Sequence, residues 1–352
     1  MIATARSGLL SWTVVVPLLA GLVLGLTWNR ELGPVLVVVV AVLLAGAVLA
    51  AVHHAEVVAH RVGEPFGSLI LAVAVTVIEV GLIVTLMAAG GPGTATLARD
   101  TVFAAVMITT NGIVGLSLLL GALRYGTTLF NAEGSGAALA TAVALATLCL
   151  VLPTFTTSQP GPEFSPAQLA FAAVAALALY VMFVVTQTVR HRDFFLPVLP
   201  EGAQAAAVEE HAAPPTGRAA AAGLGLLVVA LVAVVGLAKV ESPAIEAAVD
   251  AIGFPLSFVG VVIALLVLAP ESLAAARAAR RQRIQISLNL AYGSAMASTA
   301  LTIPAIAVAS TWLDGPLLLG LGPTQMVLLA LTVVVSVLTV VPGRATRLQG
   351  GV

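Results

Sequence analysis

Residues 66–89, FGSLILAVAVTVIEVGLIVTLMAA, form an apolar run whose only charged residue is Glu79. A helix needs about 20 apolar residues to cross the roughly 30 Å of hydrocarbon in a bilayer, and this run is long enough. A charged side chain inside such a helix is costly and usually marks a functional site. The run therefore predicts a transmembrane helix that carries a buried, functional carboxylate.

Similar apolar runs recur along the whole chain, which has 352 residues and is 60% hydrophobic and only 9% charged. This composition is typical of a protein whose surface mostly faces lipid. The runs fall at 9–28, 33–52, 66–89, 101–122, 135–153, 166–189, 218–238, 253–274, 286–309 and 323–341. They predict an all-α, polytopic membrane protein with about ten transmembrane helices. The first run is expected to be a retained helix and not a signal peptide.

Charge and cysteine content exclude other classes of protein. The formal net charge is −1, so the sequence offers no basic surface for nucleic acid. The single cysteine, Cys149, lies in an apolar run and provides no disulfide framework. Ser117 in the motif GLSL has no histidine in any apolar run to act as its base, which argues against a serine protease. We therefore expect neither an enzyme nor a resident cofactor.

Lys and Arg residues are distributed unevenly between alternate loops, with twelve on one side of the predicted membrane and three on the other. The larger group is Arg6, Arg61, Arg124, Arg190, Arg192, Arg218, Arg277, Arg280, Arg281, Arg283, Arg344 and Arg347, and the smaller group is Arg30, Arg99 and Lys239. Cytoplasmic loops carry the excess of positive charge. We therefore expect both termini to be cytoplasmic and the protein to lie in the plasma membrane, which is the inner membrane of a bacterium.

A second carboxylate, Glu271, lies in the apolar run PLSFVGVVIALLVLAPESLAAA, residues 255–276. Of the sixteen Asp and Glu residues, only Glu79 and Glu271 fall inside long apolar runs, one in each half of the chain. The predicted topology places them on antiparallel helices. Inverted-topology repeats show this arrangement, and their ion site lies at the repeat interface. We interpret the two glutamates as a cation or proton site.

The repeat hypothesis divides the chain into four regions. Residues 1–30 form a leading helix, residues 31–190 a first repeat of five helices, residues 191–217 a cytoplasmic loop, and residues 218–352 a second repeat of four helices. Inverted repeats need the same odd number of helices in each half. The last helix of the second repeat is therefore expected to be absent from this chain.

Each glutamate run is followed by a span of small and polar residues, MITTNGIVGLS at 107–117 and LNLAYGSAMASTALTIP at 288–304. Amide and hydroxyl oxygens coordinate cations, which makes the polar residues candidate ligands. They are Asn111 in the first span, and Asn289, Ser294 and Ser298 in the second. The alternative is that these residues only hydrogen-bond neighbouring helices.

Two small or helix-breaking residues, Gly81 and Pro270, lie beside the glutamates. They are expected to loosen the helices and free backbone carbonyl groups as ligands. The alternative role for Glu79 and Glu271 is that of helix-packing carboxyls that stay protonated. Glu271 lies only six residues before Arg277, so an interfacial position is a further alternative for it.

Two segments carry a family resemblance: GEPFGSLILAVAVTVIEV at 63–80 and PESLAAARAARRQRIQISLNLAYGSAMASTALTIP at 270–304. They resemble the two signature repeats of cation/proton exchangers in the calcium/cation antiporter superfamily, and are most similar to the bacterial ChaA type, a Ca²⁺(Na⁺, K⁺)/H⁺ antiporter. The resemblance implies that Glu79 and Glu271 are the transport-site glutamates.

The sequence departs from the family pattern at several positions. Calcium exchangers have an Asn three residues before each glutamate, where this chain has Thr76 and Leu268. Thr76 is therefore a further candidate ligand. Ala297 stands where the family has a Gln in the second repeat, and the acidic loop is reduced to Glu201, Glu209 and Glu210. These departures leave the cation selectivity open.

The resulting hypothesis is a secondary transporter that exchanges Ca²⁺ for H⁺ by alternating access. Burial disfavours the charged form of a carboxylate, so a proton and a cation compete for it. Two carboxylates neutralise one Ca²⁺, whereas Na⁺ or K⁺ needs one. The alternatives are a Na⁺ or K⁺/H⁺ antiporter, or a cation channel or non-transporting scaffold. Inorganic cations, protons and membrane lipid are the expected partners.

Overall fold

The computed structural model describes residues 11–30, 32–63, 66–90, 93–198, 215–313 and 315–352, with the backbone alone at residues 66–69 and 89. Helices make up most of these residues. The α-helices are α1 (Trp12–Thr27), α2 (Pro34–Val62), α3 (Phe66–Ala89), α4 (Leu97–Met107), α5 (Val114–Tyr125), α6 (Ala132–Ala146), α7 (Pro166–Val185), α8 (Gly217–Ala251), α9 (Phe258–Arg280), α10 (Ile284–Ala309), α11 (Pro323–Val340) and α12 (Arg347–Gly351).

Shorter elements join these helices. Three segments are π-helical, namely Ile108–Ile113, Thr147–Val151 and Thr186–Arg190. Three are 3₁₀-helical, namely Thr94–Thr96, Leu152–Phe155 and Arg192–Phe195. Two short strands, β1 (Thr128–Leu129) and β2 (Arg344–Ala345), pair antiparallel with Thr128 opposite Ala345.

Within the described residues, nine helical segments are long and apolar enough to cross a membrane. They are Pro34–Val62, Ile70–Ala88, Thr94–Tyr125, Ala132–Phe155, Pro166–Arg190, Gly217–Ala251, Phe258–Arg280, Ile284–Ala309 and Pro323–Val340. The first predicted run is represented by α1, which has 16 residues and a length of about 24 Å. The prediction of an all-α, polytopic membrane protein is confirmed.

Packing divides the chain into two compact units. Of the described residues, those between 11 and 94 and between 215 and 267 form unit 1, and those between 95 and 198 and between 268 and 352 form unit 2. Helix α9 begins in unit 1 and ends in unit 2. This division follows packing and does not test the four regions predicted from the repeat pattern. Of the predicted acidic loop, Glu201, Glu209 and Glu210 lie outside the described residues.

In unit 1, α1 and α2 are antiparallel neighbours. Gly46 of α2 faces Val16 of α1. Two turns further along α2, the buried His54 ring donates from Nε2 to the carbonyl oxygen of Thr13 at 2.8 Å. The contacts move backward along α1 as they move forward along α2, which fixes the antiparallel direction.

Helix α8 packs against α1, α2 and α3 in the same unit. Gly21 of α1 faces Val229 of α8, and Leu24 of α1 contacts Gly236 of α8. From the first contact to the second, the residue numbers increase on both helices, so α1 and α8 are parallel. Helix α2 is therefore antiparallel to both. Helix α3 follows α2 after a short connection and packs against it. It therefore runs in the same direction as α8.

Unit 2 is organised around α10, which packs against α4, α5, α6 and α7. Its side chains Tyr292, Met296 and Ile303 are each at most 1% exposed. The chain end is fixed to this unit by the β1–β2 pair and by α12, which packs on α5. This small ribbon was not predicted from the sequence, because its two strands contain only two residues each.

Candidate functional site

Glu79 lies in the middle of α3 and is only 3% exposed. The residues around it on the helix are apolar and buried, as shown by Ile78 and Leu82. The apolar run predicted from the sequence thus forms one continuous helix that holds a carboxylate inside unit 1. A charged carboxylate in such surroundings is strongly disfavoured unless it is paired, protonated or bound to a cation.

Thr76 lies one turn before Glu79 and is 8% exposed. Positions i and i+3 share a helix face, so the two side chains are neighbours. The Thr76 hydroxyl donates to the Ala72 carbonyl oxygen at 2.8 Å, and its oxygen lone pairs are available as acceptors. The structure therefore places Thr76 where the sequence expected it, beside the first glutamate.

Helix α3 continues without a break through Gly81, which the sequence analysis expected to loosen it. A Cβ atom at Gly81 would lie 2.6 Å from Cγ2 of Val235 on α8. The absence of a side chain therefore permits close approach of α3 and α8, and we attribute the glycine to helix packing and not to backbone loosening.

Glu271 lies in the second half of α9, within unit 2, and is half-buried. The hydroxyl of Ser294 on α10 donates to its Oε1 atom at 3.4 Å. The Oε2 atom is inaccessible to solvent. The structure thus brings together two residues that the sequence predicted, one from each side of the α9–α10 turn.

Two further predicted features surround this contact. Ser298 is 5% exposed and lies one turn after Ser294 on the same face of α10. Helix α9 continues through Pro270. Because proline has no N–H, the Leu266 carbonyl lacks its helical donor. Helix α9 is thus not broken at Pro270, and a carbonyl oxygen without its helical partner is present about one turn before Glu271.

Asn111 lies in the π-helical segment Ile108–Ile113 and is exposed. Its Nδ2 atom donates to the Thr332 hydroxyl on α11 at 3.0 Å and to the Met107 carbonyl at 3.2 Å. Single π turns inside α-helices often occur at functional sites. A backbone irregularity thus lies in the span that follows the Glu79 helix. The Asn111 amide connects two helices of unit 2.

Asn289 has a different environment from Ser294. Its Oδ1 accepts from Nε2 of Gln285 at 2.9 Å, and its Nδ2 donates to the Phe195 carbonyl at 2.7 Å. Gln285 in turn accepts from the backbone N–H of Asn131 at 2.7 Å. The amide of Asn289 is therefore engaged in holding the segment Arg192–Phe195 against α10.

Two buried carboxylates were missed by the sequence analysis. Asp100 at the start of α4 is 4% exposed, and it pairs with Arg99 at 2.8 Å. It also accepts from the Thr96 hydroxyl at 2.9 Å and from Gln325 at 3.2 Å. Neighbouring residues thus balance the negative charge of Asp100 and donate hydrogen bonds to its oxygens, which indicates a structural role.

The second missed carboxylate is Glu241, which is 3% exposed in α8. The apolar run predicted there ends at residue 238, whereas the helix continues to Ala251. The sequence signal that would have found it is the run LAKVESPAI at 237–245, in which Glu241 and Ser242 are followed by a helix-breaking proline.

Continuous apolar helices long enough to cross a membrane, with carboxylates buried among them, define a polytopic helical membrane protein. The model of the family "Sodium/calcium exchanger protein" matches residues 32–189 and 222–352. The chain therefore belongs to the sodium/calcium exchanger protein family and is a cation exchanger, which confirms the resemblance predicted from the sequence.

Relatives of known name agree with this assignment. The chain is 44% identical to the "Putative ionic transporter y4hA" of Sinorhizobium fredii, over 97% of this chain and 92% of the relative. It is 33% identical to the sodium-potassium/proton antiporter ChaA of Escherichia coli, over 96% of this chain and 92% of the relative. The crystal structure of the H⁺/Ca²⁺ exchanger CAX has the same fold, with a TM-score of 0.69 and 15% identity over 99% of this chain and 86% of that chain.

Proposed function

We propose that this protein exchanges a cation for protons by alternating access, and that Glu79 and Glu271 bind the cation and the proton in competition. The observation that carries the proposal is the burial of Glu79, 3% exposed, inside an unbroken apolar helix. A second observation supports the proposal: in unit 2 the Ser294 hydroxyl donates to the half-buried Glu271.

The coupling follows from the cost of moving bare charge. An ionised carboxylate without a partner is costly in a low-dielectric interior, whereas a protonated or cation-bound one is much less so. The protein therefore changes its accessible side only when its carboxylates are neutralised. Since the same oxygens accept either a proton or a cation, each return step carries the other ion. This is alternating access about a fixed site.

Ca²⁺ is the first candidate cation. The charge of two carboxylates equals that of one Ca²⁺, which takes six to eight oxygen ligands. In unit 1 the Thr76 hydroxyl lies beside Glu79. In unit 2 the Ser294 and Ser298 hydroxyls lie on the α10 face that meets Glu271, and on α9 Pro270 releases the Leu266 carbonyl. Water completes the coordination of Ca²⁺ in many proteins.

Na⁺ or K⁺ is the second candidate, and a specific observation favours it. The Asn289 oxygen Oδ1, the atom of that amide that binds cations, already accepts from Nε2 of Gln285 at 2.9 Å. One candidate amide oxygen is thus already engaged, which leaves fewer oxygen ligands for a Ca²⁺ shell. The relative that is 33% identical is named as a sodium-potassium/proton antiporter, which supports the same candidate.

Ion flux in proteoliposomes tests the proposal. Purified protein is reconstituted, a pH gradient is imposed, and uptake of Ca²⁺, Na⁺ and K⁺ is followed separately together with internal pH. We expect uptake of at least one cation that requires the gradient and is matched by proton movement in the opposite direction. Cation flux that runs down its own gradient without moving protons would indicate a channel. No flux of any of the three cations in correctly inserted protein would indicate a scaffold.

A further inference from the structure

Glu241 is a buried carboxylate of unit 1 that has no role in the proposed exchange mechanism. Its side chain is 3% exposed in α8, and its Oε2 atom accepts no hydrogen bond from any residue that the structure describes. Asp100, which is buried to the same extent, is held by a guanidinium, a hydroxyl and an amide. The contrast indicates that Glu241 is not built to hold a bare negative charge.

No cation of the described chain compensates Glu241. The only ion pair within 4 Å among the described residues joins Arg99 and Asp100. Lys239, two residues before Glu241, directs its ammonium group to the Trp28 ring, 5.1 Å from the centroid. Arg30, beyond the end of α1, is exposed.

The remaining elements packed on α8 bring few other titratable groups to this end of unit 1. Helix α1, which packs on α8, contains none. The groups of α2 lie at its opposite end, near Gly223 of α8, and comprise His53, His54, Glu56, His60 and Arg61. Helix α3 contributes Glu79. None of the residues that the structure describes therefore neutralises Glu241, and the smallest species that neutralises a carboxylate is a proton.

Further polar side chains follow Glu241 toward the end of α8. Ser242, also 3% exposed, donates from its hydroxyl to Oε1 of the half-buried Glu246 at 3.2 Å. Asp250 follows one turn later and is exposed. Burial thus decreases stepwise along three carboxylates of one helix. Pro243 also removes the helical N–H donor of the Lys239 carbonyl, which leaves an acceptor for a protonated carboxyl on this part of the helix.

Glu241 and Glu79 lie on parallel, packed helices. Gly81 of α3 is in register with Val235 of α8. Glu79 precedes this contact by two residues and Glu241 follows it by six, so the carboxylates are separated by about 12 Å along the helix axis. Glu241 therefore lies between Glu79 and the exposed end of α8.

We propose that Glu241 is a proton-binding site that receives protons at the Glu246 and Asp250 end of α8 and holds them within unit 1. Binding forms one O–H bond on the carboxylate and changes its charge from −1 to zero. That the held proton serves exchange at Glu79 rests on the proposed function. The binding of the proton itself does not.

Infrared spectroscopy of the purified protein tests the binding step. Protonated carboxyl groups have a C=O absorption that shifts in D₂O. Glu79 and Glu271 also contribute such absorptions when they are protonated. We therefore expect a component at neutral pH that is present in the wild type and in Glu133→Gln, a control at an exposed carboxylate, and absent in Glu241→Gln. An unchanged spectrum in Glu241→Gln would overturn the proposal even if the protein transports cations. If that variant does not fold, Glu241→Asp must shift the absorption, and an unshifted band would contradict the proposal.

Transport at varied pH tests the use of the proton. In Glu241→Gln we expect exchange to persist, with its half-maximal pH shifted toward acid by about one unit, since more protons are needed when the collecting carboxylate is absent. Glu133→Gln should leave the profile unchanged. A loss of rate in Glu241→Gln that is equal at every pH would indicate a packing role and overturn the proton-collecting function.

Discussion

The Ser294 hydroxyl lies 3.4 Å from Oε1 of Glu271, where α10 meets α9 in unit 2. Hydrogen bonds between two oxygens are usually 2.7–2.8 Å long, so this contact is weak. A weak contact costs little to rearrange when the carboxylate changes its occupant. Because the serine oxygen also has two acceptor lone pairs, it is suited to become a cation ligand beside the carboxylate.

Replacing Ser294 by alanine should weaken cation binding. We expect Ser294→Ala to raise the cation concentration for half-maximal exchange by about 2–10-fold, which corresponds to the loss of one modest polar contact, with a smaller change in maximal rate. The measurement is the initial rate of exchange at varied cation concentration. Ser272→Ala is the matched control, because the Ser272 hydroxyl donates to its own helix at the Leu268 carbonyl. Equal constants for the two variants would exclude Ser294 as a ligand.

The two glutamates should be individually indispensable. We expect Glu79→Gln and Glu271→Gln to abolish proton-coupled exchange while the protein stays folded and inserted, because glutamine has a similar shape but neither titrates nor carries charge. Proteoliposome flux and size-exclusion elution measure the two properties. Glu133→Gln, at an exposed position at the start of α6, is the control. Wild-type rates in either glutamine variant would remove that residue from the mechanism.

Cation affinity should depend on pH with a defined sign. A carboxylate must lose its proton before it binds a cation, so lowering the pH weakens the apparent affinity and raising it strengthens the affinity until deprotonation is complete. Titration of cation binding between about pH 5 and 9 covers the range in which buried carboxylates titrate. A constant affinity across this range would contradict competition between the two ions.

The fold was predictable because the length and hydrophobicity of a membrane-spanning helix are imposed by the bilayer. The same rule explains what was missed. Glu241 lies after the apolar run at 218–238, on a helix that continues to Ala251, and Asp100 lies immediately before the run at 101–122. Hydropathy places the ends of a span but does not indicate whether neighbouring helices also cover the residues just beyond it.

The candidate site was predictable only in part. Glu79 and Glu271 are recognisable because a lone charge in an apolar run is unusual. The engagement of Asn289 with the Phe195 carbonyl was not predictable, since it joins residues 94 positions apart. Sequence pattern identifies a polar side chain in a span, but tertiary packing decides whether it is directed at an ion or at another helix.

The close approach of α3 and α8 gives a stability prediction. A Cβ atom at Gly81 would lie 2.6 Å from the branched side chain of Val235. We expect Gly81→Ala to destabilise the protein by about 1–3 kcal/mol, as overpacking usually does, and to lower the midpoint of thermal unfolding in detergent. Gly81→Ala with Val235→Ala should recover most of the loss. If the double variant is no more stable than Gly81→Ala, the clash with Val235 is not the cause.

The orientation of the protein can be tested on a single helix. Gln282 and Thr311 flank the two ends of α10, and both are exposed. The count of twelve against three Lys and Arg residues assigns Gln282, which lies among four arginines, to the cytoplasm. A helix of 26 residues is about 39 Å long, so Thr311 must then lie on the outer side.

Single cysteines at these two positions, in a Cys149→Ala background, should react with a membrane-impermeant thiol reagent from opposite sides of the membrane. Cys149 itself is fully buried, so its replacement removes only a potential source of background labelling. We expect Thr311→Cys to be labelled in intact cells and Gln282→Cys only after the membrane is opened. The reverse result would invert the whole topology and place the Glu246 and Asp250 end of α8 in the cytoplasm. Labelling of both positions from the same side would mean that α10 does not cross the membrane, which would contradict the fold.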